Sequence, residues 1–163
     1  MAAGNTYVAL ATNTLSSATA SVTFSSISSA YTDLVLVIDC SVTVSASPLI
    51  TVNADSSAIY SETFFRGNGT SAASGNITST SSINTAVNPT ASTQFNEIIQ
   101  FQNYANTNIY KTILWRGNST PDFALAGVGL WRNTAAINSI EIFLSGANFI
   151  TGSTFQLFGI AAA

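Results

Sequence analysis

The stretch AINSIEIFLSGANFITGSTFQLFGI, from Ala136 to Ile160, decides the fold class of this chain. Apolar and polar residues alternate in it twice, over Ile140–Leu144 and again over Thr154–Phe158, and a loop containing Gly and Asn lies between them. Successive side chains of a β-strand point to opposite faces, so each alternating segment predicts a strand with one buried face. Nothing in the stretch is typical of a catalytic site. It predicts a structural element.

The same alternation continues through the rest of the chain. Leu34–Val44 is the longest alternating segment, and it is rich in β-branched residues and free of Gly and Pro, which predicts a strand inside its sheet. No segment shows a sustained period of 3.6 residues. Short strands separated by turn residues predict one all-β domain over residues 1–163, an antiparallel β-sandwich or jelly roll of about eight to ten strands. Residues 1–5 are expected to form an N-terminal arm.

Three local features carry further expectations. Thr70–Ala91 is built from small polar residues, and a structureless loop of that length is uncommon, so short edge strands or contact with a neighbour are expected there. Gly127 and Gly129 lie inside an apolar segment, which predicts a bulge or a close approach of the backbone. Cys40 is the only cysteine and lies on an apolar strand face, where a free thiol is expected to be buried.

The charge content excludes several classes of function. Only 7% of the 163 residues are charged and four are basic, whereas soluble domains average about 25% charged residues. Nucleic-acid binding and attachment to a membrane through a cationic helix both need basic patches, so neither partner is expected. Neither a secretory leader nor a membrane span is apparent, which predicts synthesis in a host cytoplasm. A nearly uncharged surface predicts coverage by other copies or by another protein.

The residues needed for catalysis are scarce. The chain has no histidine, which removes the commonest general base and metal ligand. Its seven carboxylates are scattered, and none forms a calcium-loop pattern. Asp33, Asp55 and Asp122 fit turns, while Asp39 and Glu141 fit the outward faces of strands. We expect no enzyme activity, no cofactor and no metal; a two-carboxylate glycosidase is the weakest alternative.

One motif recurs at predicted strand ends, in Phe65–Thr70 (FRGNGT), Trp115–Thr120 (WRGNST) and, shortened, in Trp131–Thr134 (WRNT). The favoured interpretation is structural, because Gly and Asn suit left-handed turns and Arg covers an apolar edge. The other interpretation is a set of interface or glycan-contacting spots. The candidate interface residues are Arg66, Arg116, Arg132, Phe158 and Ile160, the last two on the exposed side of the final strand.

Five segments carry a family resemblance: Tyr31–Leu36 (YTDLVL), Asn103–Thr107 (NYANT), Tyr110–Thr112 (YKT), Gly129–Ile140 (GLWRNTAAINSI) and Gly152–Ile160 (GSTFQLFGI). Together they resemble a group of small virion proteins of tailed phages, cyanophages included. The resemblance extends from about Tyr7 to the C-terminus, and the last two segments are its most specific part. The segment Leu49–Asp55 is less charged here than in that group.

The resemblance implies a β-sandwich without enzyme activity that is carried on the virion. The first hypothesis is a capsid decoration (cement) protein, a homotrimer bound to the major capsid protein on the phage head. The alternative is a tail or fibre component, either an adaptor or a module that binds host-surface glycan, with Tyr60, Tyr104, Trp115 and Trp131 as a sugar platform. A depolymerase is the third and least favoured hypothesis.

Overall fold

Twelve β-strands and no helix make up the computed structural model, which describes residues 6–119 and 123–161. The strands are β1 (Tyr7–Thr14), β2 (Ser21–Phe24), β3 (Asp33–Ser41), β4 (Leu49–Val52), β5 (Tyr60–Gly67), β6 (Ala72–Thr80), β7 (Ile83–Asn84), β8 (Gln94–Gln102), β9 (Lys111–Ser119), β10 (Phe123–Trp131), β11 (Ile140–Phe143) and β12 (Thr154–Ile160). The all-β prediction is confirmed. The number of strands exceeds the predicted eight to ten.

The strands form a large and a small antiparallel sheet. The large sheet has eight strands in the order β1-β12-β3-β8-β9-β10-β5-β6, and the small sheet has four in the order β2-β11-β4-β7. Leu36 and Phe155 of the large sheet belong to one buried cluster with Ile50 and Ile140 of the small sheet. The two sheets therefore pack face to face, which confirms the predicted antiparallel β-sandwich.

Strand β3 lies inside the large sheet, between β12 and β8, as its continuous β-branched sequence predicted. Leu34, Leu36, Ile38 and Cys40 alternate along its inner face and are buried. Burial raises the pKa of the Cys40 thiol far above its ordinary value, in keeping with the predicted structural role. The prediction was wrong at Val44, which lies beyond the end of β3 and is 56% exposed.

The two strands of the C-terminal stretch lie in different sheets. β11 pairs with β2 and β4 in the small sheet, whereas β12 pairs with β1 and β3 in the large one. The connection between them therefore crosses from one sheet to the other. Phe149, in the middle of this connection, is fully buried and packs edge to face against Phe155. Gly146 and Gly152 have positive φ angles at the two turns, a conformation that glycine adopts without strain.

The Ser- and Thr-rich segment Thr70–Ala91 contains two edge strands, which confirms the prediction of edge strands, although β6, with nine residues, is not short. β6 is one edge of the large sheet, and the two-residue β7 is one edge of the small sheet. β6 pairs with β5 from Gly67↔Ala72 to Tyr60↔Thr80. Nearly all of its side chains are exposed, so its position is set by backbone pairing with β5 and not by an apolar face.

Gly127 and Gly129 do not mark a bulge, because β10 pairs with β5 and with β9 in unbroken register. The approach is made by side chains and not by another backbone. A Cβ atom on Gly127 would lie 2.2 Å from Cζ2 of Trp115, and one on Gly129 would lie 2.3 Å from Cδ1 of Ile83. The two glycines therefore make room for core side chains.

Candidate docking surface

The outer face of the large sheet, turned away from the small sheet, carries apolar side chains in adjacent rows. Directly paired residues of antiparallel strands point to the same face, and the register gives one row of Phe65, Ala126, Arg116, Ile98 and Val37. The next row consists of Thr63, Val128, Leu114, Gln100, Val35, Phe158 and Ala9. A surface face of a sandwich is ordinarily polar, so this one is unusual.

A groove of about 610 Å³ lies on this outer face. Tyr7 of β1 and Phe65 of β5 both line it, although these strands stand six positions apart in the sheet. Strands are spaced about 4.8 Å, so a flat sheet would hold the two residues about 29 Å apart. The sheet is therefore curved, with its outer face concave. The volume lies within the range of natural ligand and docking sites, about 300–1,000 Å³.

The groove leaves large apolar side chains in contact with water. Tyr7 is 60% and Phe65 is 65% exposed, and Ile98 and Val128 are also exposed. Single exposed apolar residues are common, whereas a contiguous group of them marks an interaction site. Tyr7 also packs edge to face against Phe158, with ring centroids 6.2 Å apart, which fixes one end of the groove.

Arg116 is the charged side chain among the residues that line this groove. It is exposed and has no hydrogen-bond or carboxylate partner among the described residues. The two carboxylates on the same face are engaged elsewhere: Asp39 accepts a hydrogen bond from Nε2 of Gln94 (2.9 Å), and Asp33 accepts one from Nε2 of Gln100 (2.8 Å). The donors are neutral amides, so both carboxylates keep their charge, but neither of them lines the groove. The groove itself thus offers one cation surrounded by apolar groups, which favours a partner with a carboxylate beside apolar side chains.

The structure places three of the five predicted interface residues on the outer face of the large sheet. Arg116, Phe158 and Ile160 point outward from β9 and β12. Arg66 is directly paired with Leu125 and therefore points toward the small-sheet side. Arg132 follows β10, and its guanidinium donates to the carbonyl of Ala58 (3.3 Å). Arg66 and Arg132 therefore do not share the outer face with the other three candidates, because one step along a strand reverses the face.

Sequence reasoning missed most of the residues that line the groove: Tyr7, Phe65, Ile98, Leu114 and Val128. A signal for them existed. In β8 the outward positions are Asn96, Ile98 and Gln100, so an apolar residue interrupts the polar face, and Leu114 and Val128 do the same in β9 and β10. Apolar residues on both faces of neighbouring strands indicate a sheet that is covered on both sides.

The four aromatic residues of the glycan-platform hypothesis are buried, so they cannot form that platform. Tyr60 and Tyr104 are 0% exposed, and Trp131 and Trp115 are nearly so. Their polar atoms serve the interior: Nε1 of Trp131 donates to Asp55 (2.9 Å) and Nε1 of Trp115 donates to the carbonyl of Thr85 (2.8 Å). These residues belong to the core.

Two carboxylates are buried under the large sheet, where the sequence gave no reason to expect acid chemistry. Glu97 is 0% exposed, and the hydroxyl of Thr85 is placed beside its carboxyl group. Oε2 of Glu62 accepts the Asn84 N–H (2.8 Å), and its Oε1 has no partner among the described residues. Burial raises the pKa of Glu97 to about 8 and that of Glu62 to about 7, from 4.5. Both carboxyl groups therefore keep their proton to a higher pH than an exposed glutamate does.

Lys111 is the other buried charge. Its ammonium donates to the carbonyl oxygens of Asn106 (2.5 Å), Ile109 (2.7 Å) and Thr134 (2.9 Å). Desolvation lowers its pKa, while the three carbonyl acceptors satisfy all three of its donors. The side chain therefore ties the loop before β9 to the segment after β10.

Within residues 6–119 and 123–161, no group of three or more His, Cys, Asp or Glu side chains is placed to hold a metal ion. The same residues contain no helix long and apolar enough to cross a membrane. Asp122, Thr120 and the predicted arm at residues 1–5 lie outside the described residues. No protein-family model matches the chain, and no curated protein matches it.

Proposed function

We propose that the protein is a structural component of a bacteriophage virion, most specifically a capsid decoration (cement) protein that binds the major capsid protein and stabilises the head. The proposal is carried by the outer face of the large sheet, where an apolar, concave surface with one unpaired cation faces solvent. A decoration protein works by covering area at junctions between capsid subunits, and it needs such a face instead of a reaction centre. The proposal therefore assigns the chain no enzyme activity and no cofactor.

Two further observations support a virion role. The sequence resembles small virion proteins of tailed phages along most of its length. Setting aside the hairpins β5–β6 and β9–β10, the remaining eight strands form two sets of four, in the orders β1-β12-β3-β8 and β2-β11-β4-β7. That order supports a jelly roll, an architecture of eight strands in two Greek keys that is used in viral capsid and lectin domains.

The proposed partners are other copies of the chain, as a homotrimer, and the major capsid protein. Docking through the outer face buries Ile98 and Val128 against the capsid and places Arg116 beside a capsid carboxylate. Interface energy concentrates in such desolvated apolar and Arg contacts. The protein is accordingly made in the host cytoplasm and located on the particle surface, with neither nucleic acid nor membrane as a partner.

Antibody-gold labelling of purified particles tests the location, combined with copy number from quantitative gel analysis. Hundreds of copies spread over the head are expected. Labelling confined to the tail, with a few dozen copies or fewer, would contradict decoration.

Binding to capsids that lack the protein tests the surface. Ile98→Asp and Val128→Asp place a charge in the groove, and each is expected to weaken capsid binding at least tenfold, about 1.4 kcal/mol. Ser17→Asp, at an exposed position outside the strands that does not line the groove, is the control and is expected to bind like the parent chain. Equal binding by all three variants would show that the groove is not the docking surface.

The second candidate is a tail or fibre component that binds host-surface glycan. Tyr7 and Phe65 favour it, since both rings are exposed in the groove beside Gln100, Thr63 and Arg116. Exposed aromatic faces with nearby amide and hydroxyl groups suit the apolar face and hydroxyls of a sugar. A glycan array separates the candidates: a specific hit that Phe65→Ala abolishes supports glycan binding, and an array without a hit removes it.

A further inference from the structure

We propose that copies of this chain join edge to edge through the large sheet, with β6 of one copy pairing antiparallel with β1 of the next. The inference deepens the proposed function, since it gives the proposed homotrimer an interface, and that interface is the same for a head or a tail component. It starts from the four strands that end the two sheets: β1 and β6 in the large sheet, and β2 and β7 in the small one.

The edges of the small sheet are protected from pairing by their length. β2 has four residues and β7 has two. Very short edge strands are one of the ways in which natural proteins prevent association between sheets. The edges of the large sheet lack this protection, since β1 has eight residues and β6 has nine.

The long edges also lack the residues that ordinarily block pairing. Natural proteins place lysine, other charges or proline on exposed edge strands. β1 (YVALATNT) and β6 (AASGNITST) contain no charged residue and no proline. The chain has four basic residues, and none lies on an edge: Arg66 is in β5, Lys111 and Arg116 are in β9, and Arg132 follows β10.

Strand β6 is the more open of the two edges. Ala72–Thr78 pairs in continuous register with β5, and a register shift occurs only at the end near Tyr60. Nearly all of its side chains are exposed, including Ile77, at 43%. A strand with little cover on either face and one free backbone edge gains both hydrogen bonds and apolar contact from a neighbour.

Strand β1 supplies a matching edge. Its outer-face residue Tyr7 is 60% exposed, while Val8 and Leu10 are half-buried. A bulge at Leu10 divides the strand into Tyr7–Ala9 and Ala11–Thr14. The β5–β6 pair of the same sheet also contains a register shift, so pairing in this sheet tolerates such irregularities.

The directions of the two edges make them complementary. All seven neighbouring pairs in the eight-stranded sheet are antiparallel, so its first strand, β1, runs opposite to its last, β6. A rotation about an axis parallel to the strands leaves their directions unchanged. It therefore sets β1 of one copy antiparallel to β6 of the next, which is the pairing found throughout this sheet. Such a head-to-tail contact closes into a ring when the rotation between neighbouring copies divides a full turn, and a rotation of one third of a turn gives the proposed homotrimer.

Two lysine-blocked variants test the pairing by sedimentation velocity. The β6-blocked variant carries Asn76→Lys and Thr78→Lys, the β1-blocked variant carries Thr12→Lys and Thr14→Lys, and all four positions are exposed. The control carries Ser17→Lys and Thr107→Lys at exposed positions outside the strands. Circular dichroism and melting temperature confirm that each variant folds.

The parent chain and the control are expected to sediment as an oligomer of the 16.9 kDa chain, and each blocked variant as a monomer. A mixture of the two blocked variants is expected to form a dimer, because each retains the edge that the other has lost. A monomeric parent chain would overturn the inference. So would loss of assembly in the β6-blocked variant while the β1-blocked variant still assembles, because that result indicates pairing of β6 with β6 of another copy. A mixture that stays monomeric would overturn it too. Location on the particle does not enter any of these outcomes, so they are independent of the decoration proposal.

Discussion

Replacing the buried Glu97 by Gln is expected to remove much of the pH dependence of folding stability. Glu97 is 0% exposed, and the hydroxyl of Thr85, itself buried, is placed beside its carboxyl group. Burial raises the pKa of Glu97 from 4.5 to about 8. Between those values the folded chain holds a proton that the unfolded chain has released, so the free energy of unfolding falls as pH rises.

The size of the effect follows from the pKa shift. For each such group, every pH unit between its pKa in the unfolded chain and its pKa in the folded chain lowers the free energy of unfolding by about 1.4 kcal/mol. Between pH 5 and pH 7, Glu97 therefore lowers the free energy of unfolding by about 2 to 3 kcal/mol. Glu62, whose pKa is about 7, acts in the same direction with a contribution of about 2 kcal/mol. Hydrogen bonds from Ser57 lower the pKa of Asp55 below 3.8, so its opposite contribution is complete below this window.

Urea unfolding of the parent chain and Glu97→Gln at pH 5 and pH 7 measures the difference directly. The parent chain is expected to lose about 4 to 5 kcal/mol over this range and Glu97→Gln about 2 kcal/mol, the remainder being due to Glu62. Glu141→Gln is the matched control, because that carboxylate is only half-buried and accepts a hydrogen bond from Thr51 (3.3 Å). A parent chain whose stability is constant or rises from pH 5 to pH 7 would refute the reasoning, and so would a Glu97→Gln variant with an unchanged slope.

Three further substitutions test the packing, each by denaturant unfolding. Gly127→Ala is expected to lower the free energy of unfolding by about 1–3 kcal/mol, because its Cβ would lie 2.2 Å from Trp115. Gly67→Ala is the control, since its Cβ would make only an ordinary 3.7 Å contact. Equal stability of the two variants would contradict the overlap. Lys111→Met removes the hydrogen-bond donor from three carbonyl oxygens and is expected to lower the free energy of unfolding by about 1–3 kcal/mol. An unchanged stability would show that water hydrogen-bonds these carbonyls instead. Asn53 has φ 54°, and its side chain is hydrogen-bonded to the backbone of Ala136, Asn138 and Ser139. Asn53→Ala is therefore expected to lower the free energy of unfolding by about 2–4 kcal/mol, and Asn53→Gly by about 1 kcal/mol less, because glycine adopts the positive φ without strain. Equal losses would show that the backbone conformation contributes nothing to this difference.

The sequence alone was sufficient for the strands that have one apolar face. The sequence predicts β3 and β12 as strands because apolar residues such as Leu36 and Leu157 recur at every second position. The same periodicity predicted that Cys40 is buried in the core. β6 has no such face. It is a strand because its backbone pairs with β5, and pairing between segments is a property of the tertiary fold that composition does not reveal.

The candidate site was harder to predict because it depends on register. Arg66 and Arg116 occupy the same position in the repeated motif, and turn chemistry gives no reason to distinguish them. In the sheet, Arg116 is paired with Ala126 and points outward, while Arg66 is paired with Leu125, the neighbouring residue, and points inward. A difference of one residue in pairing thus decides which arginine belongs to the groove.

The placement of the few charges decides how this protein can associate. Glu62, Glu97 and Lys111 are buried, Asp33 and Asp39 are outer-face carboxylates hydrogen-bonded by neutral amide groups, and Arg116 is the charged side chain that lines the groove. A surface with so little charge gains little from long-range attraction and suffers little repulsion between copies. Specific association must then come from burial of apolar area and from backbone hydrogen bonds at strand edges. The groove supplies the first and the unblocked strands β1 and β6 supply the second, so the two surfaces assigned to docking and to self-association are the ones that this charge distribution leaves able to act.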